Sequence, residues 1–508
     1  MHGRSDAIVR DNRVEHEAWQ SKKGKSVHET LLLFGATGDL AQRYLFQSLL
    51  NLLRDRLLPP GFRVYAIARQ DIGSDGLRSL LGERLAKSGA PTADINELLS
   101  RCEYLNVDLS DPQLVAERLE FLRGRDCVSY LSTPPGLYVP ITQGLKAAGL
   151  LDAPSRLVLE KPIGRDLTSA RDIMAAVGEC VSEDRVFRID HYLGKAPVQN
   201  LLALRFGNAL LEAVWHHRWI ASVDIMVAET DGVDGRESYY ANYGALRDMV
   251  QNHILQLLCL IAMEPPSALD ADSVRNEKLK VLRALRPMSA ERVNHDSVRG
   301  VYQAGVVAGK PVAGFKAPTP EADDCETYVA LVAHIDNWRW AGVPFRLRTG
   351  KRMADRCSEV VITFREPSHW IFEQPTRENS TPNRLVFRLQ PEENIELTLM
   401  SSLAAPEWGA LELQPLPLDL SMPINLRRRI AYERLLLDAF HGNPALFVRN
   451  DEVEAAWTWI DSVADAWKQA GTPLQPYMAG SWGPEAALSI APEGSIGGRR
   501  RGRNGGGG

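Results

Sequence analysis

No two cysteines of this chain stand at CxxC spacing. The six present, Cys102, Cys127, Cys180, Cys259, Cys325 and Cys357, are scattered, with no cysteine/histidine spacing that reads as a zinc site. Reduced thiols in a cytosolic redox environment are the expectation, and no metal. No run of about 20 apolar residues exists to span a bilayer. The N-terminus lacks the apolar stretch of a signal peptide: residues 1–28 are polar and mixed in charge, and read as a flexible leader. One-sided charge is missing too. The formal net charge is −5 over 508 residues, so no global field draws the chain to nucleic acid or to an anionic membrane surface. What remains is a cytoplasmic globular protein with 44% hydrophobic residues. At roughly 150 residues per domain it has room for about two to four.

From Thr30 to about Ile189, short apolar runs (LLLFG, RVYAIAR, CEYLNVD, CVSYLS, RLVLEKP) alternate with stretches of helical period. That alternation predicts an α/β domain with a parallel sheet covered by helices. After about residue 200 the runs SVDIMVAE, TYVALVAHI, EVVITF, RLVFRLQ and IELTLM follow with fewer helices between them, which predicts an α+β domain with a large, mostly antiparallel sheet. Two late helical stretches, Arg429 to Phe440 and Asp451 to Gln469, are expected on one face of that sheet. The expected division is 1–28 leader, 29–195 nucleotide-binding domain, 196–490 substrate and dimerisation domain, and 491–508 a disordered glycine/arginine tail.

The first run enters Gly35-Ala36-Thr37-Gly38-Asp39-Leu40, with a helix after it. A glycine turn there lets the backbone approach a pyrophosphate at the helix N-terminus. The spacing is GxxG, one glycine short of the dinucleotide fingerprint, and any strand-to-helix turn could use it. The second run ends in Arg69 where an NAD-specific fold would place an acid. A guidanium there suits a ribose 2′-phosphate, so NADP is favoured, with NAD the weaker alternative because Asp71 lies two residues on. Asp108, Leu109 and the segment Tyr130 to Pro135 end the next two runs and face the same crevice in a doubly wound sheet, the prolines keeping the backbone extended. Lys161 of EKPIG closes the fifth.

RIDHYLGK, residues 188–195, sets an acid, two proton-handling rings and two cations in one short run, which is poor core material but suits a phosphate grip with proton transfer. In RDMVQNHILQ, residues 247–256, Met249, His253 and Gln256 share one helical face. A histidine in an apolar helix is commonly a satisfied core residue. An alcohol-oxidising enzyme, however, needs a base near pH 7, and Asp190 is available to orient one.

The motifs GATGDLA, EKPIG, RIDHYLGK, RDMVQNH, IDNWRWAGVPFRLRTGK and AGSWGP occur in an order that resembles the glucose-6-phosphate dehydrogenase family, over roughly residues 29 to 490. The resemblance implies a Rossmann-like domain followed by a domain whose large sheet forms a dimer interface, in a homodimer or homotetramer. It implies oxidation of glucose 6-phosphate at the anomeric carbon by NADP, giving the phospho-gluconolactone. By the same resemblance His253 is the base and Asp190 stabilises its imidazolium. His191, Tyr192 and Lys195 bind the 6-phosphate; Glu229, Asp248, Lys161, Lys351, Arg356 and Gln390 make further substrate contacts; and Gly35, Thr37, Gly38, Asp39, Leu40, Arg69, Asp108, Leu109, Tyr130 and Lys161 serve the cofactor.

The chain departs from the family pattern at Ala196, where glutamate is usual, at Glu237, Ser238 and Ala241 of GVDGRESYYANYG, at His216 and His217 of VWHHRW, and around Ser401 to Pro406, where a KxPG element is missing. A structural second NADP site is therefore not expected. The competing expectation is a non-catalytic NADPH-binding regulatory homologue, which would be expected to lose His253 or Asp190.

Overall fold

The computed structural model describes residues 28–490 except 153, 318, 320–323, 370, 372–380, 404–411 and 421–428. Apart from His28, the expected leader and the expected glycine/arginine tail lie outside the described residues, as do residues 404–406 of the missing KxPG element. The chain divides into two compact units, one drawn from residues 1–196, 267–275 and 424–454, the other from 197–266, 276–423 and 455–508.

The first unit holds six parallel strands: β1 (Thr30–Phe34), β2 (Arg63–Ala68), β3 (Cys102–Asn106), β4 (Cys127–Leu131), β5 (Arg156–Leu159) and β6 (Val186–Ile189). Their order is 3-2-1-4-5-6. β1 and β4 are buried along their whole length, as central parallel strands with both faces covered must be. A short strand, β17 (Phe447–Val448), closes the β6 edge in antiparallel register.

One expectation is corrected in this unit. The helix Ala431–His441 packs in the first unit and not on the large antiparallel sheet. Tyr432 stacks on Tyr44 at 5.6 Å, Phe440 meets Phe62 edge-on at 5.4 Å, and Glu433 accepts a 2.7 Å hydrogen bond from the Asn51 amide. Periodicity marks Tyr432, Leu435, Leu436, Ala439 and Phe440 as a face to be buried, but carries no information about which sheet receives it.

The second unit is built on nine strands ordered β16-β15-β14-β13-β7-β12-β11-β8-β18. They are β7 (Ile220–Ala228), β8 (Ser297–Gln303), β11 (Tyr328–Ala333), β12 (Phe345–Gly350), β13 (Cys357–Phe364), β14 (Arg384–Gln390), β15 (Asn394–Leu403), β16 (Glu412–Asp419) and β18 (Leu474–Met478). A separate two-stranded hairpin joins β9 (Gly305–Val307) and β10 (Lys310–Val312). The large sheet is antiparallel except at β7–β12 and β8–β18. The helix Asn450–Ala470 meets it as expected: the Trp467 indole N–H donates to Ser297 Oγ, at the start of β8, at 2.8 Å.

All six cysteines are thiols, and burial pushes Cys102, Cys127, Cys325 and Cys357 up to about 12, so they stay protonated. Among the described residues no helix is long and apolar enough to cross a membrane.

Candidate active site

In the first unit β1 lies between β2 and β4, so the connections leaving β1 and β4 diverge and open a crevice at their carboxyl ends. Gly35 turns the chain there with φ +76°, and a Cβ on it would stand 2.2 Å from the Ser132 carbonyl oxygen. Only glycine meets both demands. Gly38 N–H donates to Gly35 O at 2.9 Å, the Gln42 amide holds Thr37 O at 2.7 Å, and Asp39 pairs with Arg43 at 2.5 Å on the exposed surface. Gly38 and Asp39 are exposed, and Thr37 and Leu40 half-buried.

Arg69 is exposed at the end of β2, and among the described residues no ion pair holds its guanidinium. The Asp108 carboxylate accepts from Ser110 N at 3.0 Å and Ser110 Oγ at 2.7 Å, bonds that hold it below its ordinary range. Leu109 beside it is buried. Of the two prolines after β4, Pro134 is extended as expected, but Pro135 opens a short 3₁₀ turn, Pro135–Leu137. A glycine turn at a strand switch point, with a free arginine at the next strand end, fits a dinucleotide carrying a 2′-phosphate. Tyr130 differs from its neighbours in the crevice: it is wholly buried and its hydroxyl donates to Glu160.

RIDHYLGK leaves β6 and folds tightly. Asp190 is buried; its Oδ1 accepts the Tyr192 N–H at 3.0 Å and its Oδ2 lies 3.1 Å from Lys161 Nζ. The Lys195 ammonium sits 3.6 Å over the Tyr192 ring, and His191 stacks on Tyr432 at 5.9 Å and 14°. Asp190, His191, Tyr192, Lys195 and Lys161 therefore form one cationic, hydrogen-bonding cluster. Behind it Glu160 is half-buried, and desolvation of its carboxyl drives it up to about 7 even though the Tyr130 hydroxyl and Lys161 favour the charged form.

In the second unit, Gly244 (φ +62°) ends the helix Glu237–Ala245, and the next nine residues, Leu246–Ile254, wind as a π-helix. A Cβ on Gly244 would meet Glu326 Oε1 at 2.3 Å. That same oxygen accepts the Leu246 N–H at 3.0 Å, while Glu326 O accepts Ala245 N–H at 2.9 Å. The wider winding breaks the i, i+4 register that an α-helix would have. Met249 and Gln256 are buried, but His253 is the one residue from Met249 to Met263 that is not. π-turns of this kind are rare and concentrate at functional positions.

Asp248, on the same π-helix, meets two residues placed by sheet register. β7 and β12 run parallel with Gly350 opposite Ala228, so Glu229 and Lys351 emerge side by side. Lys351 Nζ bonds Glu229 Oε2 and lies 3.5 Å from Asp248 Oδ2, while the Tyr239 hydroxyl donates to Asp248 Oδ1 at 3.4 Å. Burial works against the Lys351 charge, but the two carboxylates outweigh it and raise its pKa. Arg356 precedes β13 at the same end of the sheet, exposed, and Gln390 ends β14 with its Oε1 accepting from Ser358 Oγ at 3.3 Å.

Of the departures, Glu237 accepts the Gly235 N–H at 2.9 Å, Ala196 opens the helix Ala196–Phe206, and the His216 and His217 rings lie 5.8 Å apart. Three participants escaped the sequence reading. Glu160 stood in the EKPIG motif without a role. Tyr432 is some 240 residues from His191, and Glu326 some 80 residues from the helix it caps, and neither carries a local signal.

Comparison with known proteins accounts for nearly the whole of this layout. Residues 32–200 match the glucose-6-phosphate dehydrogenase NAD binding domain, and residues 202–495 the C-terminal domain of the same family. The glucose-6-phosphate 1-dehydrogenases of Zymomonas mobilis and Rhizobium meliloti are each 45% identical, covering 91% and 90% of this chain and 97% and 95% of their own. A crystal structure of the Mycobacterium avium enzyme superposes with a TM-score of 0.79 at 36% identity, covering 92% of this chain and 97% of that one. A glucose-6-phosphate dehydrogenase in complex with its substrate reaches 0.82 at 32% identity, covering 92% and 98%. The chain belongs to the glucose-6-phosphate dehydrogenase family.

Proposed function

We infer that this family member oxidises glucose 6-phosphate at its anomeric carbon with NADP, and that His253 and Asp190 carry the proton chemistry. His253 takes the proton of the anomeric hydroxyl as the C–H bond gives up its hydride, and the ring oxygen and carbonyl left behind make the 1,5-lactone. NADP, when bound, accepts that hydride. Asp190 stabilises the imidazolium. His191, Tyr192 and Lys195 hold the dianionic phosphate; Glu229, Asp248 and Lys351, with Lys161, Arg356 and Gln390, orient the sugar hydroxyls.

The observation that carries this reading is that His253 is half-buried where every other residue from Met249 to Met263 is buried, one turn from the likewise half-buried Asp248. A core histidine would be enclosed like its neighbours. The cofactor is proposed to lie along Gly35–Leu40 with its 2′-phosphate on Arg69, Asp108 and Leu109 lining the adenosine end and Tyr130 and Lys161 the other. The test is the initial rate of absorbance at 340 nm with glucose 6-phosphate and NADP, for the parent and His253→Asn. A base of this kind contributes about a hundred- to ten-thousand-fold to turnover. A variant that keeps a tenth of the parent rate would refute the assignment, and a parent protein inactive with both NADP and NAD would instead favour the regulatory homologue.

The cytoplasm is the proposed location, in keeping with six unpaired thiols. Dimerisation through the large sheet is supported by Leu399 on β15 and Leu416 on β16, which are exposed apolar side chains. Light scattering on the purified chain should give at least twice the 56.4 kDa monomer mass, and a monomer at micromolar concentration would overturn that assembly.

A further inference from the structure

The second unit contains a cavity of about 630 Å³ that none of the proposed cofactor or substrate residues lines. Its walls include Arg247, Arg299, Asp324, Glu326, Trp467 and Lys468. A volume of this order is that of an ordinary small-molecule pocket. Three cations face two carboxylates, so the cavity is positive in balance.

Arg299 is the central feature. It projects from β8 with a side chain only 7% exposed, and its guanidinium lies 5.2 Å from the Trp467 ring centroid. One terminal nitrogen donates to the Asp324 carbonyl and sits 3.0 Å from the Asp324 carboxylate and 3.9 Å from that of Glu326. Its Nε is buried with no hydrogen-bond partner. A buried, unpaired charged donor is costly unless something accepts its bond. Lys468 adds an exposed ammonium at the rim, for which no ion pair occurs among the described residues.

We propose that this cavity is a second ligand site, regulatory in effect, for a small phosphate-bearing metabolite. Arginine recognises phosphate through its fixed fork of donors, and the lysine adds a point charge at the mouth. The link to catalysis is Glu326. Its carboxylate lies against Arg299 on the cavity side and accepts the Leu246 N–H that opens the π-helix bearing Asp248 and His253. A phosphate that draws Arg299 away from Glu326 changes how firmly that helix start is held. The binding claim stands independently of the dehydrogenase reading, whereas the regulatory claim rests on it.

Calorimetric titration of the full chain with inorganic pyrophosphate, in metal-free buffer, tests the site. It is run with and without saturating glucose 6-phosphate, which blocks the proposed 6-phosphate subsite. At least one pyrophosphate should bind per chain with the sugar phosphate present, at least tenfold more weakly in Lys468→Glu, a surface change, and in Arg299→Met. No binding by the parent protein, binding abolished by the sugar phosphate, or equal affinity in Lys468→Glu would each overturn the site. Pyrophosphate should also change the parent turnover at saturating substrate at least twofold while leaving Lys468→Glu unaffected. Tight binding with unchanged turnover would overturn the regulatory role and keep the site.

Discussion

Replacing Glu160 with glutamine should make the protein more stable at alkaline pH than its parent, by an amount set by the buried carboxyl. Glu160 is half-buried, with its carboxyl set among protein groups, and that carboxyl rises from an ordinary 4.5 to about 7, desolvation being the largest cause. Because the folded state binds this proton more tightly than the unfolded chain does, the carboxyl contributes most to stability below about pH 4.5. That contribution is lost as the pH rises to about 7 and is constant beyond. A displacement of this size corresponds to roughly 3 kcal/mol in all, of which about 2 kcal/mol falls between pH 5 and pH 8. Glutamine keeps an oxygen for the Tyr130 hydroxyl and has no charge to bury. Urea unfolding of both proteins at the two pH values gives the comparison directly. The advantage of Glu160→Gln should grow by about 2 kcal/mol from pH 5 to pH 8. A difference that stays flat across that interval would show that Glu160 remains ionised in the folded protein, held so by Lys161 and the hydroxyl, and the burial argument would fail.

Two further variants probe the site. Lys195→Ala should raise KM for glucose 6-phosphate by tenfold or more with a smaller change in kcat, since a phosphate grip is equally strong in ground and transition states; an unchanged KM would remove Lys195 from the substrate. Arg69→Ala should lower the preference for NADP over NAD by about tenfold or more, the scale of one charge-assisted contact, read as the ratio of kcat/KM for the two nucleotides; an unaltered ratio would place the 2′-phosphate elsewhere.

Most of the parallel sheet was legible because runs such as LLLF, CVSYL and RLVL are apolar and are followed by a helical period, which local pattern alone encodes. β8, β12 and β18 were not, since SVRGVYQ, FRLRTG and LQPYM carry polar residues and interrupt the alternation. The helix Ala431–His441 was legible as a helix but not as part of the first unit, because amphipathicity specifies a buried face and not its partner. In the site, Asp190, His191, Tyr192 and Lys195 are neighbours in sequence as well as in space. Glu229 and Lys351 are 122 residues apart and meet only through the parallel register of β7 and β12. The π-winding at Leu246–Ile254 was invisible, since RDMVQNHI reads equally well at 3.6 residues per turn and the irregularity depends on Gly244 and on Glu326, which lies outside the segment.

The first unit's construction from three separated lengths of chain constrains how it can be made. Residues up to 196 supply β1 to β6, but Tyr432, Leu435, Leu436, Phe440 and Phe447 of the same core come only from residues 424–454. During synthesis the nascent first unit therefore waits for more than two hundred further residues with uncovered apolar surface around Phe46 and Phe62, and with the β6 edge open until β17 arrives to pair with it. An exposed strand edge beside exposed apolar surface is the form in which chains associate wrongly. The dehydrogenase is thus most vulnerable to aggregation on the ribosome, in the interval before its last hundred residues emerge, and a truncation ending near residue 200 carries that vulnerability permanently.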